Sequence, residues 1–238
     1  MKQKKIIMTG GSGRFAQVFK KVKSSKNIFF PSKKNLDLNN INSIKRYVKK
    51  IKPDYLIHCA ALSRPMDIHE KKIEDSISKN IIGTCNIVRV CSQEKIKLIY
   101  FSTNYVYAGT KGNYSENDPV LPINNYALSK LGGECAVQMY KNSLILRICM
   151  SEKPFIHKKA FNDVETNFMY HEDFAKNLLK LIDKKGIINV GGHKQIVFNF
   201  AKKTNPKVKP VSAKKMLGKK FPLKQSMNIN KYLKIIKN

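Results

Sequence analysis

Short apolar runs alternate with longer amphipathic runs through the first 150 residues, and this alternation restricts the chain to one kind of architecture. Lys4 to Thr9, Asn27 to Phe30, Tyr55 to Cys59, Ile96 to Phe101 and Ser143 to Ile148 read as strands. Between them, helical periodicity runs to about Lys23, then from Ile41 to Ile51, Ile73 to Gln93 and Tyr126 to Tyr140. Strands separated in this way by helices specify a doubly wound parallel sheet. At 238 residues the chain has room for one such domain with a small appendage, and no repeat or low-complexity linker divides it.

The first strand runs into Gly10-Gly-Ser12-Gly13-Arg14-Phe15-Ala16, which opens the first helix. Small residues let the backbone approach a pyrophosphate, and the helix end offers N–H groups and partial positive charge. This makes Gly10, Ser12, Gly13, Arg14 and Phe15 candidate cofactor contacts in a Rossmann-type fold. After the second strand the chain reads Pro31-Ser32-Lys33-Lys34, with no acidic residue before Asp37. An acidic side chain there would bond a ribose 2′-hydroxyl, whereas a 2′-phosphate calls for a cation. The expected cofactor is therefore NADP(H) in preference to NAD(H), read chiefly by Arg14, with Lys33 or Lys34 assisting and Ser32 bonding the phosphate.

Tyr126 and Lys130 stand four apart at the start of a helix that an Asn caps, which puts them on one face. An ammonium beside a phenol stabilises phenolate and makes the phenol a usable acid or base. With ten Tyr and 41 Lys, chance alone supplies about two such spacings, and the second, Tyr107 with Lys111, lies among Gly109 and Gly112, where no helix would align it. Context selects Tyr126: Ser102-Thr103-Asn104 ends the preceding strand, where open α/β sheets bind ligands, and a hydroxyl there would meet a carbonyl oxygen. Gly132 and Gly133 in the same helix cost about 1–2 kcal/mol relative to Ala, which close packing on the sheet or across a homodimer would offset.

Composition excludes several classes of function. The formal charge is +30, but 41 Lys against five Arg, spread from Lys2 to Lys237, is not a nucleic-acid footprint, for which clustered Arg is expected. Its milder consequence is attraction of anionic substrates. Five scattered Cys without a C-x-x-C pair read as reduced core thiols of a cytoplasmic protein, with neither disulfides nor a metal site. No apolar run approaches the roughly 20 residues of a membrane span, and the N-terminus lacks a signal-peptide pattern.

Taken together, these segments resemble the extended short-chain dehydrogenase/reductase family, and most of all its dTDP-4-dehydrorhamnose reductase branch. The resemblance adds Leu36-Asp37-Leu38-Asn39 as the adenine-contacting segment, Cys59-Ala60-Ala61 beside the nicotinamide ribose, and Asn80 on its helix. It covers Ser102 to Gly109, the Tyr126 to Glu134 segment and Leu146-Arg147, and continues more faintly through His171-Glu-Asp173, Asn189-Val-Gly191-Gly192 and Gln225 to Lys231. It implies that Thr103 orients the substrate oxygen, that Tyr126 exchanges the proton, and that Lys130 holds the nicotinamide ribose while lowering the Tyr126 pKa. Asn80 would position the lysine through backbone or water bonds or take part in a proton relay. Asn104, Tyr105 and Arg147 would meet the substrate, although the branch usually has Asp where Asn104 stands.

Dehydratases of the superfamily carry an acidic pair after the Thr, and Asn104-Tyr105 cannot replace it. Only 23 residues separate Arg147 from His171, where these reductases have a longer insertion. The implied organisation is a dinucleotide-binding domain over residues 1–150 and a reduced substrate-binding region over 151–238, returning partly to the core near 171–192. The implied activity is NAD(P)H-dependent reduction of a 4-keto nucleotide sugar. The alternatives are a catalytically silent dinucleotide-binding regulator, as in the reductase-like regulatory subunit of methionine adenosyltransferase, and a nucleotide-sugar epimerase.

Overall fold

The computed structural model describes residues 4–237. Its central sheet contains β1 (Ile6–Thr9), β2 (Ile28–Phe29), β3 (Tyr55–His58), β4 (Lys97–Thr103), β5 (Ser143–Ile148) and β6 (Gly186–Val190), in the order β6-β5-β4-β3-β1-β2. β1 pairs in parallel with β2 and with β3, and β3 with β4, in a register that sets Ile6 opposite Ile28 and Tyr55, and Tyr55 opposite Lys97. The chain leaves β1 toward β2 and returns on the other side to β3. Strand order thus reverses between β1 and β3, and in open α/β sheets a reversal of this kind opens a crevice at the carboxyl ends of the two strands. The glycine turn follows β1, and Cys59-Ala60-Ala61 follows β3.

Four helices alternate with the strands: α1 (Arg14–Val22), α2 (Ile41–Ile51), α3 (Gly83–Gln93) and α4 (Asn125–Gln138). Asn40 caps α2 by accepting the Ser43 N–H, and Asn124 caps α4 by accepting the Ala127 N–H at 2.8 Å. α1 starts from Gly13 without a side-chain cap and buries Phe15, Ala16 and Phe19. One expectation is corrected. The continuous helix from Ile73 to Gln93 is an α-turn (Ile73–Ser76), a π-helical turn (Ile77–Ile82) and then α3. The wider turn is closed by the Gly83 N–H on the Ser78 carbonyl, and such π turns occur frequently at functional positions.

Backbone contacts gather the chain into two units. Residues 1–102, 124–146 and 182–187 form the first, whose core includes Ile7, Ile44, Leu56, Ile87, Leu98 and Ile145. Residues 103–123, 147–181 and 188–238 form the second, with a core of its own around Phe155, Val164, Val197, Phe200 and Val208. Its strands are short: Lys159–Phe161 pairs with Lys209–Val211, and Glu165–Thr166 with Gln195–Ile196. Asp163 ties it together by accepting the Ser212 hydroxyl at 2.6 Å and the Ala213 N–H at 2.7 Å.

The cysteines are free, but not all are core thiols: Cys91 and Cys149 are buried, Cys59 and Cys85 partly so, and Cys135 is exposed on α4. Its helical position, two residues before the buried Val137, turns it outward. Among the described residues no helix is long and apolar enough to cross a membrane.

Candidate active site

In the first unit, the sequence-predicted residues converge from the ends of β1 and β3, the π turn and α4. Gly10 has φ +74°, and a Cβ there would lie 2.9 Å from Ala60 Cα. A Cβ on Gly11 would lie as close to Phe30. The turn is drawn tight by the Gly13 N–H on the Gly10 carbonyl at 2.8 Å, and both Gln17 Nε2 and Lys20 Nζ donate to the Gly11 carbonyl. Ser12, Ser32 and Lys33 are exposed. Arg14 Nη2 donates to Ser63 Oγ at 3.3 Å, linking the glycine turn to the loop after β3. The Phe15 side chain belongs to the core, edge-on to Phe101, so only its backbone is placed to meet a ligand. Leu38 lies against the start of α3: its carbonyl accepts from Asn86, and a Cβ on Gly83 would lie 2.9 Å from Leu38 Cβ; Asp37 faces α2, its N–H donating to Ser43 Oγ at 3.1 Å.

A buried hydrogen-bond chain, with no signature in the sequence, joins these pieces. Thr84 Oγ1 donates to the Asn80 carbonyl at 2.7 Å, so its oxygen is left to accept from His58 Nε2–H at 3.1 Å. This assigns the His58 tautomer: Nδ1 is bare and accepts from Thr9 Oγ1 at 2.8 Å. Thr9 Oγ1 then accepts the Ala60 N–H at 3.2 Å. Burial, with the Lys130 charge nearby, lowers the His58 pKa to about 3, so the imidazole stays neutral. A lone His on a strand gives no spacing pattern from which this role could be read.

Asn80 is 1% exposed and uses its whole amide. Oδ1 accepts the Leu62 N–H at 2.7 Å, while Nδ2 donates to the Leu62 carbonyl at 2.9 Å and to Ser129 Oγ at 2.8 Å. Ser129 Oγ in turn donates to the Tyr126 carbonyl at 2.7 Å. Asn80 thus ties the Leu62 backbone to the first turn of α4 through the Ser129 side chain, an intermediary that the motif did not single out.

Lys130, 3% exposed, has its pKa lowered to about 7 by burial, against the opposing pull of Cys59 and Glu134. Burial pushes the Cys59 thiol up to about 12. The paired glycines are explained within the chain: a Cβ on Gly132 would lie 3.0 Å from Ile81, and one on Gly133 would lie 2.4 Å from the Tyr100 hydroxyl. The Tyr126 ring packs against that of His69 with centroids 5.1 Å apart. His69 Nδ1 bonds Ser76 Oγ at 2.7 Å, and its buried Nε2 has no partner.

The remaining predicted residues belong to the second unit. Thr103 Oγ1 accepts the Tyr105 N–H at 3.3 Å, which leaves its own proton to donate. Asn104 is 5% exposed, and its Nδ2 has no partner. The Tyr105 carbonyl accepts the Ile123 N–H. Arg147, 3% exposed, donates to the Tyr107 hydroxyl at 2.8 Å and to the Glu116 carbonyl at 3.4 Å. Tyr107 does not pair with Lys111, which binds Asp118 at 2.7 Å. It is nonetheless no idle side chain: it is buried, stacks on Tyr114 and bonds Asn189 Oδ1 at 2.9 Å. Asn189 and Ser226, from the fainter C-terminal segments, serve the same internal network, on the Tyr114 carbonyl and on Glu165.

A doubly wound sheet with a glycine turn at its switch point places the chain in the Rossmann-type class. The family described as RmlD substrate binding domain matches residues 4–190, and the chain belongs to that family. A solved dTDP-4-dehydrorhamnose reductase from Bacillus anthracis, in complex with NADP, superposes with a TM-score of 0.85 at 25% identity, over 97% of this chain and 92% of that one. Methionine adenosyltransferase 2 subunit beta of Xenopus laevis is 36% identical over 114 residues, 48% of this chain and 34% of that protein. The probable low-salt glycan biosynthesis reductase Agl14 of Haloferax volcanii is 33% identical over 115 residues, 48% of this chain and 38% of that protein. Each match thus spans little more than a third of the curated relative's length.

Proposed function

We propose that the chain is an NADPH-dependent reductase of a 4-keto nucleotide sugar. The reading rests above all on Tyr126 and Lys130 one turn apart on α4, with the first turn of that helix held by Asn80 through Ser129. The turn after β1 fits a dinucleotide: Gly10 and Gly11 admit backbone where a Cβ would collide, and Gly13 precedes α1, whose N-terminus carries the partial positive charge that suits a pyrophosphate. Gly10, Ser12, Gly13, Arg14, Asp37, Ala60 and Lys130 would hold the cofactor. When bound, NADPH supplies the hydride that reduces a ketone. The Tyr126 hydroxyl gives its proton to the forming alkoxide, and Lys130 supplies positive charge beside it. Thr103, with a free hydroxyl proton, orients the substrate oxygen. Asn104, a buried donor without a partner, is assigned to the substrate.

The test is NADPH oxidation with a panel of 4-keto nucleotide sugars. Tyr126→Phe should lower kcat on the order of 10²-fold or more, with NADPH binding little changed. The similarity to methionine adenosyltransferase 2 subunit beta favours a second reading, a dinucleotide-binding regulatory subunit. If the wild type binds NADPH and turns over none of the sugars, that second reading replaces the first.

A homodimer through α4 belongs to the same proposal. In a chain with 41 Lys, the outward face of α4 presents none: Leu128 and Cys135 are exposed along it and Met139 at its end, beside Ile77 and Ile82 of the π turn that packs on it. An apolar stripe of this kind marks an interaction surface.

A further inference from the structure

Lys97 opens β4 at the end opposite Thr103 and is 7% exposed. Its Nζ makes one hydrogen bond, a long one of 3.4 Å to the Ser143 carbonyl, and it forms no ion pair with any described carboxylate. It faces a cavity of about 410 Å³ among the residues that precede or open the strands, with Lys95 and Lys185 also in its wall. Two of the three carboxylates lining this cavity are already engaged. Asp183 takes the Tyr55 hydroxyl at 2.5 Å and Lys4 at 3.5 Å, and Asp54 accepts the Lys5 N–H at 2.8 Å. Glu94 is the third, set against the uncommitted cations Lys95, Lys97 and Lys185.

A buried ammonium with no ion pair is costly, because it has lost its water and here gains in return only the weaker pull of Asp183, which is already shared with Tyr55 and Lys4. Burial and the like charge of Lys185 outweigh the opposing pull of Asp183 and bring the Lys97 pKa down to about 8. We propose that this cavity binds a compact oxyanion of the phosphate class, with Lys97 as its principal donor and Lys95 and Lys185 completing the positive wall. The site lies at the amino ends of the strands, whereas the glycine turn and Ala60 lie at the carboxyl ends of β1 and β3, so it is separate from the reductase chemistry and does not depend on it. The net charge of +30 raises the local concentration of such anions.

Calorimetric titration and thermal unfolding in sodium phosphate, against sodium chloride of equal ionic strength, test the assignment on the full chain. The wild type should bind phosphate saturably, and its Tm should rise with phosphate. Lys97→Met should lose at least tenfold in affinity, while its Tm in phosphate-free buffer equals or exceeds that of the wild type, since an apolar chain of similar length replaces an uncompensated charge. Lys185→Ala, an exposed position that leaves the core intact, should lose about three- to tenfold; the exposed control Lys49→Met should match the wild type. A glucose 1-phosphate arm separates the sources: tighter binding than inorganic phosphate indicates a phosphorylated metabolite, and weaker binding the free anion. No saturable response in the wild type, or a response that survives in both Lys97→Met and Lys185→Ala, overturns the proposal.

Discussion

Lys130 Nζ stands 4.1 Å from the centre of the Tyr100 ring, and the hydroxyl of that ring donates back to the Lys130 carbonyl at 3.0 Å. The ring face attracts the ammonium, but burial outweighs that attraction and leaves the amine titrating near 7.

From this follows a pH dependence of stability. Between pH 7 and 10.5 the unfolded chain keeps a proton on Lys130 that the folded chain has released, so this residue's contribution to stability rises with pH across that window. Below pH 7 both states are protonated and the full cost of burying the charge is felt. Lys130→Met should therefore be more stable than the wild type at pH 6, by on the order of a few kcal/mol, and the advantage should shrink steadily toward pH 10. Urea unfolding at pH 6, 8 and 10 measures it; a difference that stays flat with pH would show that Lys130 is not held in this environment.

Gly133→Ala places a methyl group where the Tyr100 hydroxyl and the Asn80 carbonyl already stand. The expected loss is about 1–3 kcal/mol, despite the better helix propensity of Ala. Tyr100→Phe removes the nearer obstacle, so the double variant should recover part of the loss. Additive losses in a double-mutant cycle would contradict the contact.

The bond from Arg14 to Ser63 holds the guanidinium at the glycine turn. If it reads the 2′-phosphate, Arg14→Ala should weaken NADPH by about 1.5–3 kcal/mol and leave NADH nearly unchanged. Fluorescence titration of both reduced cofactors decides the matter. Equal weakening would mean that Arg14 supports the turn without discriminating between the two.

Leu128 is 53% exposed in the first turn of α4, on its lysine-free face. Leu128→Lys should shift a dimer toward monomer in analytical ultracentrifugation while changing the unfolding free energy of the monomer by no more than about 0.5 kcal/mol, as for an ordinary surface change. A wild type that sediments as a monomer at all concentrations would remove the dimer from consideration.

Much of this was legible in the residues. Strands β1 to β5 and helices α1, α2 and α4 announce themselves by period, α4 also by the Asn that caps it, and the glycine turn marks the switch point. What escaped has local physical reasons. The π turn at Ile77–Ile82 is a change of one residue in hydrogen-bond register, and apolar spacing barely registers it. The Thr9, His58 and Thr84 chain depends on three segments far apart in sequence. Tyr107 could be separated from Lys111 by the glycines around it, but its burial beside Arg147 and Asn189 arises from tertiary contacts alone. The two- and three-residue strands of the second unit are too short to show an alternation at all.

The chain passes between its two units five times, after residues 102, 123, 146, 181 and 187. During synthesis the first unit therefore cannot acquire its last strand segment until residue 187 has left the ribosome. At roughly 5–20 residues per second, the nascent β5 edge waits several seconds for the 182–187 segment that leads into β6. In that interval the growing chain presents an unpaired β-sheet edge to chaperones.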